Sequence, residues 1–158
     1  MKETERIQDQ LRRAFEGEAW HGPSIRALLA GIGAEQAAQR PLRDAHSIWE
    51  IVLHIAAWED AVRRQLEGEV VRDLPPDRDW PAVRETGAPA WRETVAALER
   101  GHLRLRERVA AFPDERLAER VPAKDYSFYG TLHGVIQHDL YHGGQIAILK
   151  KAVVAAKT

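Results

Sequence analysis

Apolar residues recur along this chain at steps of three and four, never in sustained alternation, so helices are expected and strands are not. Ile7, Leu11, Ala14 and Phe15 form a first stripe. The stretch "WHGPSIRALLAG" interrupts it, with Pro23 suited to a first helical turn and Gly31 to a stop, so residues 4–31 read as one bent or broken helical element. A second helix follows Pro41. Ser47 and Glu50 have the spacing of a capping box, Ile48, Ile51, Ile55, Val62 and Leu66 form the buried face, and Gly68 suits the end. Trp91, Val95, Leu98, His102, Leu105, Val109 and Phe112 then step by 4, 3, 4, 3, 4, 3, the seam of a bundle helix. A last helix is expected from about Thr131 to Val154.

Between these elements lie two long connections. The Pro-rich "VRDLPPDRDWPAVRETGAP" runs to about 20 residues, more than an ordinary connection, and is a candidate functional loop. The second, "PDERLAERVPAKDYSFYG", leads into the last helix. Four long amphipathic elements joined in this way predict an all-α, four-helix bundle with a long crossover loop, forming a single domain over residues 1–158.

Composition narrows the chemistry. A net charge of -1 leaves no electrostatic footprint for nucleic acid or an anionic membrane. No apolar run approaches the roughly 20 residues that span a bilayer, and "MKETERIQDQ" lacks the apolar core of a secretory signal, so a cytoplasmic protein is expected. There are no cysteines, which excludes disulfides, thiolate metal sites and a cysteine nucleophile. Any metal must be held by histidine or carboxylate, and any thiol must arrive with a substrate. Seven histidines supply the alternative.

Two of them sit where the last helix should be apolar. Its stripe runs Thr131, Val135, His138, His142, Ile146, Leu149. At 100° per residue, with Val135 at zero, His138 falls at about -60° and His142 at about -20°. Both imidazoles therefore face inward one turn apart, a spacing at which two ring nitrogens can meet one ion. Burying both without a partner would cost several kcal/mol. A third ligand must come from another helix. His54, aligned with Ile51 and Trp58, and His102, on the seam of the third long helix, both qualify by periodicity.

"HSIWEIVLHIAAWED" and "HGVIQHDLYHGGQIAILKK", with "EAWHGPSIRALLAG" as a further matching stretch, closely resemble the DinB-like family of DNA-damage-inducible, metal-binding four-helix bundles. The resemblance covers nearly the whole chain. It implies that His54, His138 and His142 bind a divalent ion, and it leaves His102 to a core or pocket-lining role. Three neutral imidazoles leave the ion its full charge and an open position, the pattern of catalytic rather than structural zinc. Imidazole donors suit zinc, nickel, copper and iron. Zinc or nickel is the leading expectation, ahead of iron or manganese.

Such an ion can lower the pKa of bound water to about 7, or deprotonate an incoming thiol. Characterised branches of the wider family look like thiol S-transferases using low-molecular-weight thiols such as bacillithiol or mycothiol; others are described as metal-dependent hydrolases. The leading expectation is a metal-dependent transferase acting on a small-molecule substrate. A hydrolase is the alternative, and a non-enzymatic metal- or ligand-binding stress protein the third reading. The family pattern also implies a homodimer.

Several neighbours are assigned around this centre. Glu50 is either the partner of Ser47 in the capping box or a carboxylate beside the ion acting as general base. Trp20, His21, Trp49 and Trp58 are candidate cavity walls, and Tyr141 and Gln145 candidate donors at the mouth. Asp139 is read as a surface or helix-packing residue. Gly143 and Gly144 weaken the helix by up to about 1 kcal/mol each, which close approach of another helix would offset.

Overall fold

Three of the four long helices begin where a side chain meets their free amide groups. The computed structural model describes residues 1–155, with seven α-helices among them: α1 (Glu3–Glu16), α2 (Ile25–Leu29), α3 (Ala34–Ala38), α4 (Ile48–Leu66), α5 (Pro76–Asp79), α6 (Ala88–Ala110) and α7 (Phe128–Ala155). Before α4, Glu50 N–H donates to Ser47 Oγ at 3.2 Å and Ser47 N–H to Glu50 Oε2 at 2.7 Å, completing the expected capping box. Gly68, at φ 90°, turns the chain out after α4 in a conformation that disfavours a side chain. The cap of α1 is tertiary. Asp114, more than a hundred residues away, accepts from the amides of Glu3 (2.7 Å) and Thr4 (3.1 Å) and from Thr4 Oγ1 (2.7 Å).

Two starts differ from expectation for local reasons. α7 opens at Phe128 rather than Thr131, because Ser127 Oγ accepts from Gly130 N–H at 3.2 Å and caps the helix earlier. α6 opens at Ala88, with Pro89 in its first turn, where a missing N–H is harmless. The first element is broken, as its punctuation implied, into α1 and the short α2.

The four long helices form the bundle. α4 packs on α6 and α7, and α1 packs on the same two from the opposite side; α2 covers α7 near its end. Within this frame the core is two apolar clusters instead of one. Phe15, Ile55, Leu98 and Ile146 belong to one cluster, and Leu11, Val62, Leu105 and Val135 to the other. Between them on α4, α6 and α7 come polar side chains: Glu59 between Ile55 and Val62, His102 between Leu98 and Leu105, and Asp139 and His142 between Val135 and Ile146. A buried polar layer thus crosses the bundle between two dry halves.

No helix among the described residues is long and apolar enough to cross a membrane. Tryptophans fasten the upper half: Trp91 Nε1–H donates to the carbonyl of Ile32 at 2.7 Å, and Trp49 Nε1–H to Thr94 Oγ1 at 3.1 Å. Trp91→Phe keeps the ring but orphans the buried Ile32 carbonyl, which should cost about 1–3 kcal/mol. Urea unfolding should register this as a lower midpoint at an unchanged slope.

Candidate metal centre

His54 on α4 meets His138 and His142 on α7 at the edge of the polar layer. Each offers a ring nitrogen, and the three nitrogens lie within 4.8 Å of one another. His54 Nδ1–H donates to the backbone carbonyl of Asp79 at 2.6 Å, and His142 Nδ1–H to Gln145 Oε1 at 2.6 Å. Those bonds leave Nε2 of both rings as bare acceptors. His138 Nε2 lies 3.0 Å from His54 Nε2 and so donates to it. Burial lowers the pKa of both His54 and His142, keeping the imidazoles neutral with lone pairs available.

The crossover loop completes this arrangement. Pro75 and Pro76 start the single turn of α5, which delivers the Asp79 carbonyl to His54 and lays Trp80 flat on its ring, 3.8 Å away at 6°. His46 stacks on the other face of Trp80, at 3.6 Å and 6°. Trp58 Nε1–H donates to Asp79 Oδ1 at 2.7 Å, tying the loop back to α4. The His54 ring is thereby held by a hydrogen bond at its edge and an indole against its face.

A cavity of about 390 Å³ opens beside His138, walled by Trp58, Val62, Thr131, Gly134 and Val135. Gly134, one turn before His138, has open space where a Cβ would stand. The donor set fits a divalent ion. Three imidazoles converge, two of them oriented through their second nitrogen, with a cavity on the remaining side.

Behind the histidines lies a second group. Glu59, His102 and Asp139, from α4, α6 and α7, are each at most 1% exposed and also present ligand atoms within 4.8 Å of one another. His102 Nδ1–H donates to Glu59 Oε1 at 2.6 Å, and Phe15 stacks on the His102 ring at 4.1 Å. Burial pushes the Glu59 carboxyl up to about 8. Burial, and then the nearby Glu59, push Asp139 up to about 7, while burial lowers His102 to about 4. Near neutral pH Glu59 and His102 favour their neutral forms, while Asp139 lies close to its midpoint.

A family model described as the DinB superfamily matches residues 19–146, more than half of the chain. The chain belongs to the DinB superfamily. No curated protein and no solved structure matches it.

As a DinB superfamily member it carries its three clustered histidines where the resemblance put them, while several neighbours lie elsewhere. Glu50 is bound up in its capping box and in an ion pair with Arg40. Burial would raise its pKa, but these hydrogen bonds outweigh it and lower the value. Trp49 is 2% exposed and packs on Trp91 in the core, away from the cavity beside His138. Trp20 is fully exposed, and His21 borders a separate cavity on the α1–α2 side of α7. Tyr141 is mostly exposed, its ring edge-on to His142 at 5.1 Å. Gln145 accepts a hydrogen bond from His142 through its side-chain oxygen. A Cβ on Gly143 would meet Ile25 and Leu28 only at ordinary contact distance, and one on Gly144 would face open space, so neither marks an enforced close approach.

Of the two roles expected for Asp139, burial removes the surface one, since it is fully buried. On the wheel used above it falls at about +40°, inside the inward arc, and α7 is covered by α2 as well as by α1 and α4. Glu59 was also legible, since it fills the gap between Ile55 and Val62 in the α4 stripe. His46, Asp79 and Trp80 had no periodic signal, because each lies at or beyond the end of a helix.

Glu59 gives the protein a pH signature. Its carboxyl ionises near 4.5 when unfolded and near 8 when folded, so between these values the native state retains a proton the unfolded chain has lost. Its contribution is full at low pH and fades as pH rises toward about 8. Glu59→Gln keeps an acceptor for His102 and cannot ionise, so it should reduce the fall in Tm across this window. A thermal-melt series in chelator, comparing both proteins, measures the slope.

Proposed function

We propose that this chain is a metal-dependent transferase that activates a low-molecular-weight thiol for attack on an electrophilic carbon of a small molecule. The observation that carries the reading is the convergence of His54, His138 and His142 beside a mostly apolar cavity. A divalent ion bound by these residues would supply Lewis acidity, favouring the thiolate over the thiol. The chain's own part is to hold the donors. The Asp79 carbonyl, Trp80 and Gln145 fix two imidazoles, and Trp58, Val62 and Val135 exclude water from the space beside the third. In the reaction the thiol sulfur forms a new bond to carbon, the leaving group departs with its electron pair, and the thiol proton passes to solvent.

The absence of cysteine from the sequence accords with a nucleophile brought from outside. A hydrolase using Glu50 as base draws less support, because both carboxylate oxygens of Glu50 already have partners in Ser47 and Arg40.

Elemental analysis of protein purified without a nickel column should find close to one divalent ion per chain, zinc or nickel foremost. His138→Ala should lose most of it, and undiminished metal in that variant would defeat the ligand assignment. The metal-loaded protein, given an aryl halide electrophile with a panel of small thiols, should form thioether only when thiol is present. Turnover of ester substrates without thiol would replace this reading with the hydrolase, and no turnover of either kind would leave a binding protein.

A further inference from the structure

We infer that Asp139 is the positioning residue for His138, and that Glu59 and His102 hold it in place as a buried bracket reaching from the ligand to α4 and α6. This rests on the metal-binding reading of the three histidines.

The rings of the centre are oriented unequally. His54 and His142 each spend Nδ1–H on an oxygen 2.6 Å away. His138 Nδ1 is buried and has no hydrogen-bond partner, yet Asp139 Oδ1 stands 3.6 Å from it, just outside hydrogen-bond range. Both oxygens of Asp139 are buried as well, with the side chains of His138 and Glu59 placed to hydrogen-bond them. A donor-capable nitrogen and an acceptor-rich carboxyl thus face each other across a few tenths of an ångström of slack.

The tautomer explains the slack. His54 Nε2 is an acceptor, so the 3.0 Å contact places the His138 proton on Nε2, leaving Nδ1 bare. A ligand nitrogen must carry a lone pair, so binding an ion through Nε2 requires the neutral ring's proton to sit on Nδ1. There it points at Asp139, the acceptor nearest to hand. A small turn of the ring then closes a hydrogen bond of the kind already made by the other two histidines.

Asp139 is flanked by side chains from two other helices. It is enclosed between two apolar clusters, with Glu59 from α4 and His102 from α6 beside it, and those two are joined at 2.6 Å. The same three residues have the spacing of a second ion site. The His102–Glu59 hydrogen bond, however, already occupies two of the would-be ligands with each other. The geometry therefore favours one ion with a three-residue bracket over two ions.

Zn²⁺ titration against a competing chromophoric chelator tests this on the full chain. Asp139→Leu keeps the branched outline and removes the acceptor, and should weaken Zn²⁺ about 10- to 100-fold. Asp139→Asn retains an amide oxygen facing Nδ1 and should restore most of that affinity. Trp91→Phe, which disturbs the same bundle away from the centre, should bind as wild type does, separating positioning from general loosening. Co²⁺-substituted wild type and Asp139→Asn should share one visible spectrum, which Asp139→Leu should shift. Should Asp139→Leu not fold, Asp139→Asn against Asp139→Ser, with its shorter reach, gives the same comparison. Wild-type affinity in the variants lacking the acceptor overturns the role of Asp139 while leaving the histidine centre intact. Uptake of two ions, one of them lost in Glu59→Gln, overturns it in favour of a second site. A wild-type chain that takes up no Zn²⁺ overturns both readings together.

Discussion

Everything in this molecule is arranged around a layer of polar side chains that a small bundle has to keep away from water. Glu59, His102 and Asp139 are buried at the level where four helices meet, and His142 and His54 are nearly so. Burying such groups is unfavourable unless each finds a partner or gives up its charge. Here both occur. The carboxyls are pushed toward their protonated forms, His102 toward its neutral one, and Glu59 and His102 join directly. The apolar clusters on either side supply the stability that this layer does not, and they also hold its members in register.

The consequence for the site is rigidity from several directions. A backbone carbonyl orients His54, a side-chain amide one turn further along α7 orients His142, and a carboxyl faces His138. These partners come from the crossover loop, from the ligand's own helix and from the bundle interior. The loop is more than a connection. Its two prolines begin the turn that brings Asp79 and Trp80 onto the His54 ring, and Trp58 fastens it from below.

How much of this could be read beforehand depended on whether a residue lay inside a periodic helix. The stripe on α7 placed His138 and His142 inward, and the α4 stripe did the same for His54. Periodicity could not choose His54 over His102, because both are inward-facing seam residues. The resemblance to the DinB-like family made that choice. Asp139 and Glu59 were available to the same reasoning, Asp139 through its angle on the wheel and Glu59 as the polar step in an apolar stripe. Glu50 was ambiguous because a carboxylate three residues after Ser47 suits a cap and a site equally, and only its hydrogen bonds decide between them.

By itself the sequence determined the helices, their inward faces and the absence of any thiol of its own. Those follow from local spacing and composition, which act within a few turns of chain. The tertiary structure alone decided which inward faces meet. It set His102 against Glu59 instead of beside the other histidines, and folded a loop some twenty-five residues downstream onto His54. A helix wheel specifies direction from one axis and nothing about the neighbouring axis. The distance between two imidazoles on different helices is set by the packing of the apolar clusters above and below them.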